Sequence, residues 1–296
     1  MEKKTGNRQF IRYIVFTFVI AWILQFIASQ FVVKGNQGMF GICMSGCMFI
    51  PFLGTLIAGI PLKGMGWVPH LKGKVKWVFF ALWIPAVLNL AGAVLYFLIF
   101  PGHFDAGFQT MKLAMGEEAL AQMEAQGMTM EMQILLSSVS ALTLGPVINM
   151  FLAIGEETGW RGAMYPFLKE RFGKTKGRIL GGIIWGAWHW PVMLLAGYEY
   201  GKDYIGAPFL GPAVFCLYCV FMGILEDIVY EKTGTIWGAA LLHGAINAWT
   251  VYAYLLKPEF ADRMIFGPAT IGVISMIPVA VFVIVLAAKS DREVAG

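Results

Sequence analysis

Seven residues on three apolar segments could carry chemistry in this sequence: Glu156, Glu157, Arg161, Trp185, His189, His243 and Asn247. Carboxylates, imidazoles, a guanidinium and a carboxamide can move protons, polarise a carbonyl group or hold a metal ion. Each segment is apolar enough to cross a bilayer, where an ionisable side chain costs about 2.5–3.5 kcal/mol on insertion scales and is rarely retained without a use. We therefore treat these residues as candidate functional residues.

Their spacing predicts which of them pair. Glu157 and Arg161 are four residues apart, so they share a helix face and can form an ion pair. A buried guanidinium needs such a partner. This pairing leaves Glu156 as the free carboxylate. His243 and Asn247 are also four residues apart and point the same way.

These groups suit hydrolysis by water. Glu156 could act as the general base, with His189 as its partner, and Trp185 could form one wall of the cavity. His243 and Asn247 would then stabilise the developing oxyanion. Since no serine or cysteine stands out as a nucleophile with a base at helical spacing, water attack is favoured over an acyl-enzyme. On chemistry alone, a proton-coupled transporter explains the same residues equally well.

The composition predicts an all-α, polytopic membrane protein. The chain has 296 residues, of which 58% are hydrophobic and 14% charged, with a mean hydropathy of +0.68, whereas a soluble domain carries about 25% charged residues. Eight spans of about 20 residues each are expected. They are 10–33, 39–62, 76–100, 132–157, 178–197, 208–230, 234–256 and 267–288.

The charge distribution predicts the orientation. Most of the 22 Lys and Arg residues fall on one side when the N-terminus is placed in the cytosol, as the positive-inside rule requires. The C-terminus is then cytosolic too. The net charge of +4 serves topology, and no nucleic-acid partner is expected.

The fourth span is expected to be broken. The apolar stretch 132–168 is too long for one straight helix across a hydrocarbon layer about 30 Å thick, and Gly155, Gly159, Gly162 and Pro166 are its natural break points. The span should end near Glu157, with a short second helix returning toward the cytosol. Irregular backbone at that depth survives where it lines a wet cavity.

The long outer segment 101–131 contains a candidate amphipathic helix, 111–126. A helix lying at the membrane interface is the simpler interpretation. A lid over a substrate entrance is the alternative.

Three motifs resemble those of a known family. Glu156-Glu157 with Arg161 resembles the EExxxR signature of the CAAX prenyl protease family (CPBP, Abi) of intramembrane proteases. The pairs Trp185–His189 and His243–Asn247 resemble the second and third signatures, in the same order. Trp185 departs from the family pattern, which more often has Phe. The resemblance covers roughly residues 132–256.

The resemblance implies an endopeptidase that cleaves near the C-terminus of prenylated CAAX-type proteins or processes other small membrane-associated peptides. It assigns Glu156, helped by His189, to water activation, and His243 with Asn247 to the oxyanion. It assigns Glu157 and Arg161 to a supporting ion pair. No cofactor is expected, although zinc held by Glu156, His189 and His243 is the alternative.

The sequence thus predicts one transmembrane domain, 1–296, with a catalytic core at about 132–256. Its expected partners are the lipid bilayer and a prenylated or small hydrophobic peptide, and its expected location is a prokaryotic cell membrane. The alternative function is non-proteolytic: a proton-coupled transporter or a bacteriocin-immunity protein using the same Glu/His cluster.

Overall fold

The computed structural model describes residues 5–249 and 251–295, and this part of the chain is helical, as predicted. Its only β contact is an isolated bridge between Phe104 and Leu256. The α-helices are α1 (Asn7–Val33), α2 (Gln37–Cys47), α3 (Ile50–Ile57), α4 (Val75–Ile99), α5 (Gln109–Ala125), α6 (Met130–Leu142), α7 (Leu144–Glu157), α8 (Tyr165–Phe172), α9 (Lys174–Trp188), α10 (Trp190–Ala196), α11 (Leu210–Thr233), α12 (Ile236–Ala248) and α13 (Ile277–Ala295). A π-helix (Thr158–Met164) joins α7 to α8, and short 3-10 helices occupy Pro101–His103, Val251–Leu255 and Pro258–Arg263.

The prediction of several membrane-spanning helices is confirmed. Five helical segments of the described chain are long and apolar enough to cross a membrane, and a sixth is added if the bent pair α6–α7 counts as one span. The predicted number of eight is not confirmed. The expected seventh span, 234–256, ends as α12 at Ala248 and has 13 residues, or about 20 Å of helix, shorter than the hydrocarbon layer. The orientation of the termini stays a prediction.

The fourth span is broken, but at a different residue from the one predicted. The bend, 53°, lies between α6 and α7, at Thr143, whose φ of −129° and ψ of −86° are not helical. At Glu157, where the break was expected, the backbone stays right-handed and widens into the π-helix before continuing as α8. Glycines at 155, 159 and 162 therefore do not end the helix. Gly159 instead admits Pro51 and the Tyr13 hydroxyl, which a Cβ there would strike.

The outer helix is present as α5, close to the predicted 111–126. Gly116 interrupts it with a φ of 79° and a ψ of 163°. Met111 and Met123 pack with Met130 of α6 in a small apolar cluster, so α5 is attached to the helices below it. A role as a lid or as an interfacial helix stays a prediction.

Two helix pairs form the frame of the candidate site. α7 packs along α12, and α9 packs along α11. The second pair approaches backbone to backbone, because a Cβ at Gly182 or Gly186 would clash with the backbone of α11 at Val220 or Cys216. Glycines four residues apart allow this approach.

Two basic residues, Lys169 and Arg178, are paired with acids of α11. Lys169 Nζ lies 2.6 Å from Asp227 Oδ1, and Arg178 Nε lies 2.7 Å from Asp227 Oδ2. Arg178 Nη2 also reaches Glu231, at 3.0 Å. This cluster joins α8, α9 and α11 at the same end of the frame.

Candidate active site

The π-helix places two side chains on the carboxylates that precede it. Trp160 Nε1 donates to Glu156 Oε2 over 2.9 Å, and Arg161 Nη1 donates to Glu157 Oε1 over 2.8 Å. All four residues are buried. Wide turns of this kind often occur at functional sites. The predicted pairing of Glu157 with Arg161 is confirmed.

Glu156 is held by two indoles. Trp185 of α9 also donates from Nε1 to Oε2 of Glu156, at 2.8 Å. Both hydrogen bonds therefore end on the same carboxylate oxygen. Oε1 is left as the oxygen available to another molecule in the cavity that Glu156 lines.

Glu157 belongs to a buried polar network that the sequence analysis found only in part. Its Oε1 lies 2.7 Å from Nδ1 of His243 in addition to the guanidinium. Arg161 Nη2 pairs with Oε2 of Glu226 on α11, and Glu226 Oε1 lies 3.9 Å from Nδ1 of His243. The guanidinium carbon also lies 4.8 Å from the Trp185 ring centroid. The guanidinium of Arg161 thus neutralises the charges of Glu157 and Glu226. Both of these carboxylates also lie beside Nδ1 of His243.

The hydrogen-bond partners of His243 show that its Nδ1 carries a proton. A carboxylate accepts hydrogen bonds, so Nδ1 carries a proton where it meets Glu157. Nε2 then points to the other side of the ring. The ring lies against Trp185, with centroids 5.3 Å apart.

His189 sits at a break between α9 and α10. Pro191 has no backbone N–H and so cannot continue the ladder of the preceding helix. Gln25 of α1 fills this break: its Nε2 donates to the Trp188 carbonyl over 2.9 Å, and its Oε1 accepts from the Val192 N–H over 3.2 Å. Each of these backbone groups is thereby satisfied inside the protein.

The orientation of the His189 ring is also determined. Nδ1 lies 3.0 Å from the Trp185 carbonyl oxygen, which can only accept, so in the neutral ring the lone pair is on Nε2. Trp188 and Phe215 meet the ring edge to face, at 4.7 and 5.0 Å between centroids. This aromatic enclosure restrains the imidazole.

One cavity of about 480 Å³ brings the predicted residues together. Its lining includes Glu156, Trp185, His189, His243 and Asn247. Glu157 and Arg161 do not line it and lie behind its wall. The structure therefore separates a cavity-facing set from a supporting set, as the spacing argument expected, although the catalytic roles themselves stay predictions.

Asn247 also borders a second cavity of about 480 Å³ beneath α5 and α6. Asn149 and Tyr254 are shared by the two linings. Asn247 thus forms part of the wall of both cavities.

The residues whose ligand atoms cluster are not those of the alternative zinc site. Within the described residues, the ligand atoms that lie within 4.8 Å of one another belong to Glu157, Glu226 and His243, whereas the alternative named Glu156, His189 and His243. Both of these carboxylates already bind the guanidinium of Arg161. Because that cation holds the position between them, this set does not fit a divalent ion.

Several residues of the site were missed by the sequence analysis. Glu226 lies within an apolar span, so the rule that identified Glu156 applies to it equally. Trp160 lies inside the first motif, and its indole N–H is a donor that usually finds a partner when buried. For Gln25 and the cavity-lining Glu199, no motif or spacing pointed to the site.

The comparisons with known proteins agree with the three motifs. A family model described as Type II CAAX prenyl endopeptidase Rce1-like matches residues 138–249. This segment contains all seven predicted residues and lies inside the predicted core of 132–256, whose exact extent stays a prediction.

The chain is also similar to "CAAX prenyl protease 2" of Methanococcus maripaludis. The two are 40% identical over 58 residues, which make up 19% of this chain and 21% of that protein. The chain thus spans about a fifth of the length of this curated relative.

Proposed function

We propose that this chain, whose residues 138–249 belong to the CAAX prenyl protease family, is an intramembrane endopeptidase that hydrolyses a peptide bond with water activated by Glu156. Its substrate class is a prenylated CAAX-type protein or another small membrane-associated peptide, cut near the C-terminus. The comparisons favour a peptidase over the transporter or immunity protein. The prokaryotic cell membrane stays the expected location.

The observation that carries this proposal is the arrangement of the Glu156 carboxylate. Both indole bonds end on Oε2, and the same cavity contains His189 and Asn247. Oε1 is thus free to accept a proton from water, while two fixed donors hold the group in one orientation. Such preorganisation contributes to catalysis because no reorganisation is needed during the reaction.

In the proposed reaction, the water oxygen attacks the carbonyl carbon and its proton moves to Glu156. Nε2 of His189 carries the lone pair that can orient or relay this proton. The oxyanion accepts a hydrogen bond from the Asn247 amide and a second from Nε2 of His243 when that ring is doubly protonated. The C–N bond then breaks as the proton passes to the leaving amine.

We further propose that the reaction needs no metal. Within the described residues, the ligand atoms of Glu156, His189 and His243 do not all lie within 4.8 Å of one another. The donor set that does so is occupied by the guanidinium of Arg161. Metal analysis of the purified protein, with activity measured after exhaustive chelation, decides between the two: activity that disappears and returns with zinc alone would overturn the metal-free proposal.

The experiment that tests the function is mass spectrometry of products from matched farnesylated and unmodified C-terminal peptides. Glu156→Gln keeps the acceptor for both indoles but removes the base, so we expect a loss of about 10²–10⁴-fold in rate. Glu259→Gln, which alters an exposed carboxylate on a 3-10 helix, is the control and should keep the parental rate. Equal rates for Glu156→Gln and the parent would refute the proposal.

A further inference from the structure

Glu199 is a carboxylate of the cavity that the proposed reaction does not use. It lies between α10 and α11 and lines the same cavity as Glu156 and His189. The loop returns to the site, because the ring of the preceding residue, Tyr198, stacks parallel to the His189 imidazole, with centroids 6.3 Å apart and planes at 5°. Glu199 is therefore next in sequence to a residue that contacts the candidate catalytic histidine.

The backbone at Glu199 is unusual for its residue type. Its φ is 71°, in the left-handed region, and only Phe108 shares this property among the described non-glycine residues. Gly197, two residues earlier, has the same φ and adopts it without penalty. Strained conformations of this kind are retained mainly where the surrounding structure uses them. With this backbone conformation, the loop places Glu199 in the cavity lining.

The charge environment of Glu199 lacks a counter-ion. Within the described chain, no lysine or arginine lines the cavity. Burial raises the pKa of Glu199 to about 7, against a smaller opposing effect of the Tyr198 hydroxyl. The half-buried carboxylate thus faces a cavity whose described lining offers it no lysine or arginine. An ammonium or guanidinium group of a ligand would pair with the Glu199 carboxylate and compensate for its partial loss of solvent.

We propose that Glu199 determines substrate specificity by accepting a basic side chain of the peptide segment that enters the cavity. A lysine or arginine near the scissile bond would be favoured there, and an aspartate or glutamate at the same position would be rejected by like-charge repulsion. The inference rests on the proposed peptidase function and names a preference within its substrate class.

A competing role is proton transfer. If Glu199 supplied the proton of the leaving amine, its removal would lower kcat for every peptide by the same factor. A residue that selects a basic side chain instead changes the ratio of kcat/KM between peptides. The two roles therefore give different results in one set of measurements.

The test uses peptides that differ at a single position, with Lys, Gln or Glu placed in turn at each position flanking the scissile bond. At one of these positions we expect the full-length protein to cleave the Lys peptide about tenfold more efficiently than the Gln peptide, as a partly buried ion pair of about 1.4 kcal/mol provides, and the Glu peptide least. Glu199→Gln should make the three alike, and Glu199→Lys should reverse the order. Glu259→Gln is the matched control and should keep the preference.

The pH dependence gives a second readout. The titratable groups around Glu199 are Tyr198 and Tyr200 of its own loop, Tyr218 and Cys219 of α11, and Glu156, His189, His243 and Tyr254 across the cavity. As the pH rises from 6 to 8, Glu199 loses its proton, so the Lys-to-Gln ratio should increase for the parent and stay flat for Glu199→Gln. Taking a ratio between peptides removes titrations that affect all substrates equally.

The outcomes separate the two proposals. A parent protein that cleaves none of the peptides refutes the proposed function and this inference with it. Cleavage of all three peptides with equal efficiency at every position, or a uniform loss in Glu199→Gln, overturns the specificity role and leaves the peptidase standing.

Discussion

Trp185 Nε1 donates to Glu156 Oε2 over 2.8 Å, so a residue of α9 fixes the carboxylate that α7 presents to the cavity. The second indole, from Trp160, reaches the same oxygen. A carboxylate held by two donors on one oxygen keeps the other oxygen in a defined position. This relationship gives Trp185 a role beyond that of a cavity wall.

Replacing Trp185 by Phe keeps the aromatic ring and removes the donor. Because a hydrogen bond to a charged group contributes about 1.5–3 kcal/mol, we expect kcat to fall between about tenfold and a hundredfold, with KM little changed. Kinetics on a cleavable peptide checks this. Trp22→Phe, at an exposed position of α1, is the control. A Trp185→Phe variant with parental kcat would show that the indole N–H does not position the base.

Arg161→Ala should destabilise the protein strongly. It leaves Glu157 and Glu226 buried without their shared cation, and breaking a buried pair in this way costs about 3–5 kcal/mol. Thermal unfolding in detergent should therefore show a clear fall in Tm. Arg161→Lys should recover only part of the loss, since one ammonium cannot reproduce the two-sided guanidinium contact. Arg171→Ala, at an exposed position, should leave Tm unchanged; an equal Tm for Arg161→Ala would contradict the network.

The sequence could predict features that depend on residues close together in the chain. The pairs Glu157–Arg161 and His243–Asn247 follow from a four-residue spacing on a helix, and apolar length predicts membrane helices. Glu226 could have been predicted by the same rule that identified Glu156, because it is an acid inside an apolar span.

The rest depends on contacts between distant segments. Gln25 reaches the helix break at His189 from α1, and no periodic pattern distinguishes it from the exposed Gln30 of the same helix. The bend at Thr143 lies just ahead of Pro146, which has no N–H for the carbonyl of Leu142 four residues earlier, and Trp83 Nε1 donates to that carbonyl instead. The break points considered in the sequence lay further along the chain, so the predicted position was wrong. Glu199 sits in a loop, where an acid is expected to face solvent, and only the return of the loop brings it to the cavity.

His103 lies outside the membrane spans, and we expect its protonation to make the stability of the protein depend on pH. Its Nδ1 lies 2.9 Å from the Tyr96 hydroxyl, and its ring stacks on Phe100 and Phe260, at 4.8 and 3.9 Å between centroids. Burial lowers the pKa of His103 below its ordinary value of 6.5. The unfolded chain therefore binds the proton more readily than the folded one, and stability should fall as the pH drops below about 6.5.

The measurement is Tm in detergent between pH 5 and 8 for the parent and His103→Asn. The difference between them isolates this histidine from other titrating groups. We expect the acid-side decline to be smaller in the variant, which cannot take up the proton. His70→Asn, at an exposed position, is the control. Identical pH profiles for the parent and His103→Asn would contradict the assignment.

Gln25→Leu tests whether the bridge across the α9–α10 break positions His189. Leucine has a similar size but leaves the Trp188 carbonyl and the Val192 N–H without their partners, each at a cost of about 1–3 kcal/mol. We expect a lower Tm and, at temperatures where the variant is fully folded, a lower kcat, because the imidazole and the adjacent Trp188 ring lose their fixed support. Gln30→Leu changes an exposed residue one and a half turns later on α1 and should behave as the parent. A Gln25→Leu variant that loses stability but keeps kcat would assign Gln25 to helix packing and exclude it from positioning His189.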